Sequence, residues 1–311
     1  MTKFIIRRTF LLIVTLIVTS ALIFALTQLL PGDIARLVLG REASQSAIDQ
    51  FNARFGLDQP VAMQYVSWLG RFVIGDWGTS YTGGNAAVRP FVLDRLSNSL
   101  ILAGATLLIS LPLGIGLGVI AALRENTWAD GLVSVLSLGV VGLPEFVTGI
   151  VLINVFALQL NWFDAIAIIN DDTTLVGWFK LLTLPALTAS FVLVGYIARM
   201  TRAGMIDELK KNYVRTAQLK GLSQRQVVFK HVLRNALLPT ITVIAISIGW
   251  LIGGIVVIEN VFRYPGIGSL LVDSVNQKNI PVLQAVTMII VFAFAFSNLI
   301  ADILYAVLNP R

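Results

Sequence analysis

The chain has no cysteine and a single histidine, His231. Disulfide staples, thiol nucleophiles and His- or Cys-rich metal sites are excluded on that count alone. No glycine is followed by lysine, so the G-x-x-x-x-G-K-[ST] loop that cradles nucleotide phosphates is absent. His231 falls in a basic, water-soluble stretch and no Gly-x-Gly-Asp occurs, which leaves an intramembrane protease without its parts. No residue reads as catalytic. Charge is scarce too: Asp, Glu, Lys and Arg make up 13% of the chain, about half the share of an ordinary soluble domain.

What is present is apolar surface. Hydrophobic residues make up 56% of the chain and mean hydropathy is +0.82, the composition of an all-α polytopic membrane protein. Six apolar runs, near 10–30, 98–123, 131–158, 178–200, 237–258 and 282–308, can each cross a hydrocarbon core of about 30 Å as a helix. Lys3, Arg7 and Arg8 precede the first run, and Lys210, Lys211, Arg215, Lys220 and Arg225 crowd the segment after the fourth. Cytoplasmic loops are rich in Lys and Arg, so both termini and that segment are expected inside the cell. The same bias accounts for a net charge of +6 and a pI ≈ 9.8, and no nucleic-acid partner is expected. The first run is too long for a signal-peptide core and no small-residue cleavage site follows it, so it reads as an uncleaved anchor.

Between the first two runs, residues 31–97 are expected outside. Ile48, Phe51 and Phe55, then Val61, Tyr65, Trp68, Leu69 and Phe72, recur at helical spacing on either side of the breaker Gly56-Leu57-Asp58-Gln59-Pro60. Two short helices with an aromatic face are predicted, then a tight turn at Gly75-Asp76-Trp77-Gly78 that returns the chain to the membrane. This insertion reads either as a small cap packed on the spans or as a docking surface. The domain expectation is therefore an N-terminal helix plus extracytoplasmic insertion over 1–97, followed by a transmembrane domain over 98–308 with a cytoplasmic loop at 202–236.

That loop carries the densest local signal. Leu209, Tyr213, Val214 and Ala217 predict an amphipathic helix over 207–219, with Lys210, Lys211 and Arg215 turned to water. Gly221 is expected to end it in the left-handed region. Ser223-Gln224-Arg225-Gln226 then fits a capping box, and Val228, Val232 and Leu233 form the apolar side of a second helix.

Polar residues inside the runs are few. Glu145, directly after Pro144 and well inside the third run, is the costliest by position; it reads either as part of an aqueous path or as a hydrogen-bonded tie at a kink. Asn154 and Asn298 are further pathway candidates, with interhelical hydrogen bonding the competing reading. Asp302 is expected to pair with a basic residue near the inner end of the last run. Gly104, Gly114, Gly116 and Gly118 suggest close helix packing.

The loop resembles the coupling loop of ABC-importer permeases: Ala217, three residues, Gly221, then an apolar-basic helix entering the next span. The family's usual Glu-Ala-Ala reads Arg215-Thr216-Ala217 here, and Leu-Pro is displaced to Leu238-Pro239. Both departures, with HVLRNALLP at 231–239, resemble the dipeptide, oligopeptide and nickel branch. So do LPGD at 30–33, GDWGTSY at 75–81, GLPEFVTG at 142–149 and ENVFRYPGIGSLLVDSV at 259–275; Asn279 stands where that branch commonly has aspartate. The resemblance implies a type I importer fold of six transmembrane helices and a permease subunit, without ATPase motifs, forming half of a path for peptides or a related small solute. It also implies a second homologous permease, two ATP-binding subunits that hold ATP and Mg, and an extracytoplasmic solute-binding protein, in a prokaryotic plasma (inner) membrane. This chain itself would hold no cofactor or metal. Arg215, Thr216, Ala217, Lys220 and Gly221 would face the ATPase. The alternative is an ion-coupled secondary transporter, which requires paired ionisable groups at midplane or inverted repeats.

Overall fold

The computed structural model describes residues 2–28, 34–40, 42–82, 86–169, 173–253 and 255–308, and they are overwhelmingly helical. Among the described residues five helical spans are long and apolar enough to cross a membrane: α1 (Thr2–Gln28), α5 (Val88–Leu123), α8 (Leu175–Leu209), α12 (Leu238–Gly253) together with α13 (Val256–Val261), and α15 (Ile280–Leu308). The bent pair α6 (Trp128–Gly142) and α7 (Glu145–Leu152), the latter continuing as a π-helical stretch to Gln159, makes six when taken as one broken span. The short helices among the described residues are α2 (Ile34–Leu39), α3 (Gln45–Phe55), α4 (Val61–Val73), α9 (Asn212–Leu219), α10 (Gln224–Gln226), α11 (Leu233–Ala236) and α14 (Ile267–Asn276), with a π-helical stretch at Val227–Val232.

The third crossing departs from the continuous helix expected of it. Its halves meet at 102°. Leu143, the residue before proline, is extended at φ −84°, ψ 135°, because the proline ring crowds the helical region for its predecessor. Pro144 then serves as the N-cap of α7, where its missing N–H costs nothing. Glu145 is therefore the first residue of a new helix, not a mid-helix residue.

α5 and α8 form the centre. A Cβ on Gly114 would sit 2.7 Å from the Ile197 side chain, and one on Gly118 2.6 Å from the Ala198 carbonyl, so these two glycines let the backbones meet. Gly104 and Gly116 face open space, and the packing role expected of all four falls to two. The Ser190 hydroxyl donates across the same interface to the Thr106 carbonyl at 3.2 Å.

Both helices outrun their apolar runs. α5 has 36 residues, roughly 54 Å at 1.5 Å per residue. Its early turns are held by Val88 and Val92, which pack with Ile267, Leu270 and Val286 next to Phe72 and Trp77 of the insertion. Its other end, Val119 and Ala122, packs with Met205 and Ile206 of α8 and with Val214, Val228 and Val232 of the basic loop. The insertion and the loop thus occupy opposite ends of α5. Near the loop end, Arg202 of α8 grips Asp130 of α6 through two hydrogen bonds of 2.5 and 2.7 Å. Arg8 pairs with Asp302 at 3.1 Å, supplying the basic partner expected for that carboxylate.

The insertion has the two expected helices, α3 and α4, separated at Gly56, whose φ of 67° closes the end of α3, and a third, α2, that was not expected. Phe51, Phe55 and Tyr81 cluster above Ile48, while Phe72 stacks on Trp77 at 5.2 Å. Burial pushes the Tyr81 hydroxyl up to about 12. Asn279, immediately before α15, fastens the returning turn: its side chain accepts from the Tyr81 N–H and donates to the Ser80 and Thr82 hydroxyls. The LPGD stretch at 30–33 falls outside the described residues, Leu30 to Asp33 being among those left out.

The stretch 259–275 acquires a structural role. Helix α14 begins at Gly266, which has no side chain to cap it. Two distant residues do the capping: Ser99 of α5 accepts the Ile267 N–H at 2.8 Å, and Glu259 accepts the Ser269 N–H at 2.8 Å while taking the Ser99 hydroxyl at 2.6 Å. Glu259 is 0% exposed. Glu259→Ala strands a backbone donor and a hydroxyl in a buried site, at about 1–3 kcal/mol each. Detergent-solubilised Glu259→Ala is expected to melt well below wild type, with Glu259→Gln between them; equal melting temperatures for Ala and wild type would refute the capping role.

Candidate functional site

The basic loop is built from short-range rules. α8 stops at Lys210, and Lys211 turns extended to cap α9, so the single helix expected over 207–219 is in fact the end of one helix and the whole of another. The junction is cross-braced by Glu208, which accepts from Tyr213 at 2.7 Å and pairs with Lys211. That hydrogen bond to Glu208 raises the Lys211 pKa above its ordinary range.

α9 ends as expected at Gly221, with φ 80°. The Gly221 N–H returns to the Gln218 carbonyl at 2.9 Å and the Leu222 N–H to the Ala217 carbonyl at 3.3 Å, the paired bonds of a Schellman turn. Ser223 and Gln226 complete the capping box. Beneath the turn, Val214, Val227, Val228 and Val232 are buried and Ala217 packs against them. Arg215, Thr216, Lys220 and Gly221 are exposed. Leu219 stands 82% exposed and Leu222 37% exposed, with Arg215 and Lys220, also exposed, close by in sequence. The sequence reading passed over these two leucines, although Leu219 lies off the Val214–Ala217 stripe in helical register. The π-helical stretch Val227–Val232 has no local sequence signature and was also missed.

The break at Pro144 opens a second feature. A concave space of ≈ 720 Å³ is lined by Leu143, Pro144, Glu145 and Phe146 from the break, Tyr196 from α8, Ser247 and Trp250 from α12, and Phe294 from α15. Glu145 is half-buried, and among the described residues its carboxylate has no hydrogen-bond or ion-pair partner. The tie to a neighbouring helix, one of its two sequence readings, is not formed. Asn154 and Asn298 do not line this space. Asn154 lies in the π-helical stretch, exposed, accepting from Gln159 at 2.7 Å; Asn298 is half-buried on α15, one turn beyond Phe294. The aromatic lining comes from residues far apart in sequence, which no periodicity connects.

No group of three or more His, Cys, Asp or Glu side chains able to hold a metal ion occurs among the described residues. Residues 114–311 match the family described as "Binding-protein-dependent transport system inner membrane component", and residues 1–102 match its N-terminal companion. The chain is 37% identical over 313 residues to the oligopeptide transport system permease protein AppB of Bacillus subtilis (strain 168), spanning 100% of this chain and 99% of that one. It is also 37% identical over 310 residues to the glutathione transport system permease protein GsiC of Escherichia coli (strain K12), spanning 100% and 98%. With helical crossings, a capped basic loop and a match along the whole chain, this protein belongs to the binding-protein-dependent transport system inner membrane components and is a multi-pass permease subunit of an ABC importer.

Proposed function

We propose that this permease forms half of the path by which short peptides, or a related small solute, enter the cell. The observation that carries the reading is the full-length match to oligopeptide and glutathione permeases, joined to a concave space at the broken crossing. A second homologous permease supplies the facing half, two ATP-binding subunits hold ATP and Mg, and an extracytoplasmic solute-binding protein delivers the cargo. Glu145 is the sole charged group among the residues lining the space, so the paired midplane charges of an ion-coupled transporter have no counterpart there.

The domain division at 1–97 and 98–308, with the loop at 202–236, is part of this proposal. Both chain ends and the loop lie in the cytoplasm and the insertion lies outside. The opposite placement of insertion and loop on α5, and the Arg8–Asp302 pair away from the insertion, support that orientation. Arg215, Thr216, Lys220 and Leu219 meet the ATPase, while Ala217 and Gly221 hold the shape of the turn. ATP-driven closure acts by favouring one state of this rigid tip over the other.

Two measurements test the proposal. Because the chain has no cysteine, single cysteines at Asp58 and Gln224 report sidedness without background. Asp58→Cys is expected to react with an impermeant maleimide on intact cells and Gln224→Cys only after permeabilisation; the reverse pattern overturns the topology. The second concerns the turn. A Cβ at Gly221 meets nothing within 4 Å, so its substitution penalty lies in the positive φ alone, about 1–2 kcal/mol. Gly221→Val and Gly221→Ala are thus expected to lose uptake and cargo-stimulated ATP hydrolysis while still inserting, and Gly221→Asn, which tolerates the left-handed region, to keep most of both. Wild-type stimulation in Gly221→Val would remove the turn from the transmission route.

A further inference from the structure

We infer that Glu145 makes the space beside the Pro144 break selective for cations, receiving the ammonium group of a solute against the rings of Trp250, Tyr196 and Phe294. The inference rests on reading this space as part of the solute path.

Three observations support it. First, the lining contains one carboxylate and no Lys, Arg or His, so the local field has one sign. Second, that carboxylate has no partner among the described residues, although an ionisable group at membrane depth is costly unless paired or facing an aqueous path. A structural carboxylate would be satisfied by protein, as Glu259 is by Ser99 and Ser269. Third, Phe146, Tyr196, Trp250 and Phe294 set aromatic rings into an otherwise aliphatic lining, and the faces of Trp and Tyr attract ammonium groups while offering nothing to an anion. A carboxylate in an apolar space that also presents aromatic rings suits a substituted ammonium such as the lysine side chain of a short peptide. The break is what makes the arrangement possible, because in a straight helix residue 145 would lie within the helix and not at the rim of the space.

The experiment uses the assembled transporter in membranes and needs no knowledge of the cargo for its first arm. Ser247→Cys puts a thiol in the lining of a chain that otherwise has none. Its reaction rates with a cationic trimethylammonium-ethyl methanethiosulfonate and an anionic sulfonatoethyl methanethiosulfonate are measured, each normalised to a free thiol in solution. The cationic reagent is expected to be favoured, and the ratio to fall roughly tenfold in Glu145→Gln, since one carboxylate acts with opposite sign on the two reagents. Glu145→Asp should keep the preference and Glu145→Lys invert it. A ratio unmoved by Glu145→Gln overturns the inference whatever the cargo is.

The second arm compares uptake of Ala-Lys-Ala and Ala-Glu-Ala by wild type and Glu145→Gln with the same solute-binding protein, so that any change in ratio belongs to the permease. The Lys-to-Glu preference is expected to drop severalfold in Glu145→Gln, with uptake normalised to the amount of assembled transporter. A shifted reagent ratio with an unmoved peptide ratio overturns the claim that the carboxylate acts on the solute. A shifted reagent ratio with neither peptide taken up by wild type supports the cation preference and instead removes peptides from the proposed function.

Discussion

The close contact of α5 with α8 is the constraint on which the remaining geometry depends. Lipid offers apolar groups nearly the same environment as a neighbouring helix, so association must come from fit and from hydrogen bonds. Gly114 and Gly118 provide the fit by removing side chains where Ile197 and Ala198 approach, and Ser190 adds a hydrogen bond to the Thr106 carbonyl. Once these helices are locked, their overhanging ends become platforms. The insertion settles on one, and the basic loop is seated against Val119, Ala122, Met205 and Ile206 at the other.

This arrangement gives the loop its mechanical character. The Schellman turn satisfies two carbonyls at the C-terminal end of α9 and the capping box closes the N-terminal end of α10, so the turn between them is held by its own hydrogen bonds. The buried valines fix it to the end of α8, which also carries Arg202 and its grip on Asp130 of the broken crossing. A push on Leu219 therefore has a short, packed route to α6, and α6 leads to the Pro144 break beside the proposed solute space. Two-ended rigidity of this kind is what a subunit needs if a cytoplasmic event is to change a surface within the membrane.

The insertion end of α5 is organised on the same economy. Glu259 and Ser99 cap a helix that has only Gly266 at its start, and Asn279 gathers Ser80, Tyr81 and Thr82 beside it. Each of these polar groups is costly to bury alone and stabilising once paired. Together they make the insertion part of the permease body, which is the cap reading of the sequence, without removing a surface for docking.

Composition, hydropathy and short-range spacing by themselves determined that the chain is an all-α polytopic membrane protein, that α3 and α4 form on either side of the Gly56 breaker, and that Gly221 and Ser223 shape the loop. Those properties are set within a few residues: a run long enough to span the bilayer, a φ that glycine adopts at no cost, a hydroxyl three residues from its N–H. The tertiary structure alone decided which of the four glycines are contacts, that Leu219 projects while Ala217 is tucked beneath, and that Glu145 shares a space with Trp250 and Phe294. Asn154, Asn298 and Glu145 looked alike as polar residues in apolar runs, yet only Glu145 reached that space. Glu145 stands at the 102° bend at Pro144: the proline announced a disturbance, but the angle, and the neighbours around Glu145, depend on how α8, α12 and α15 pack there.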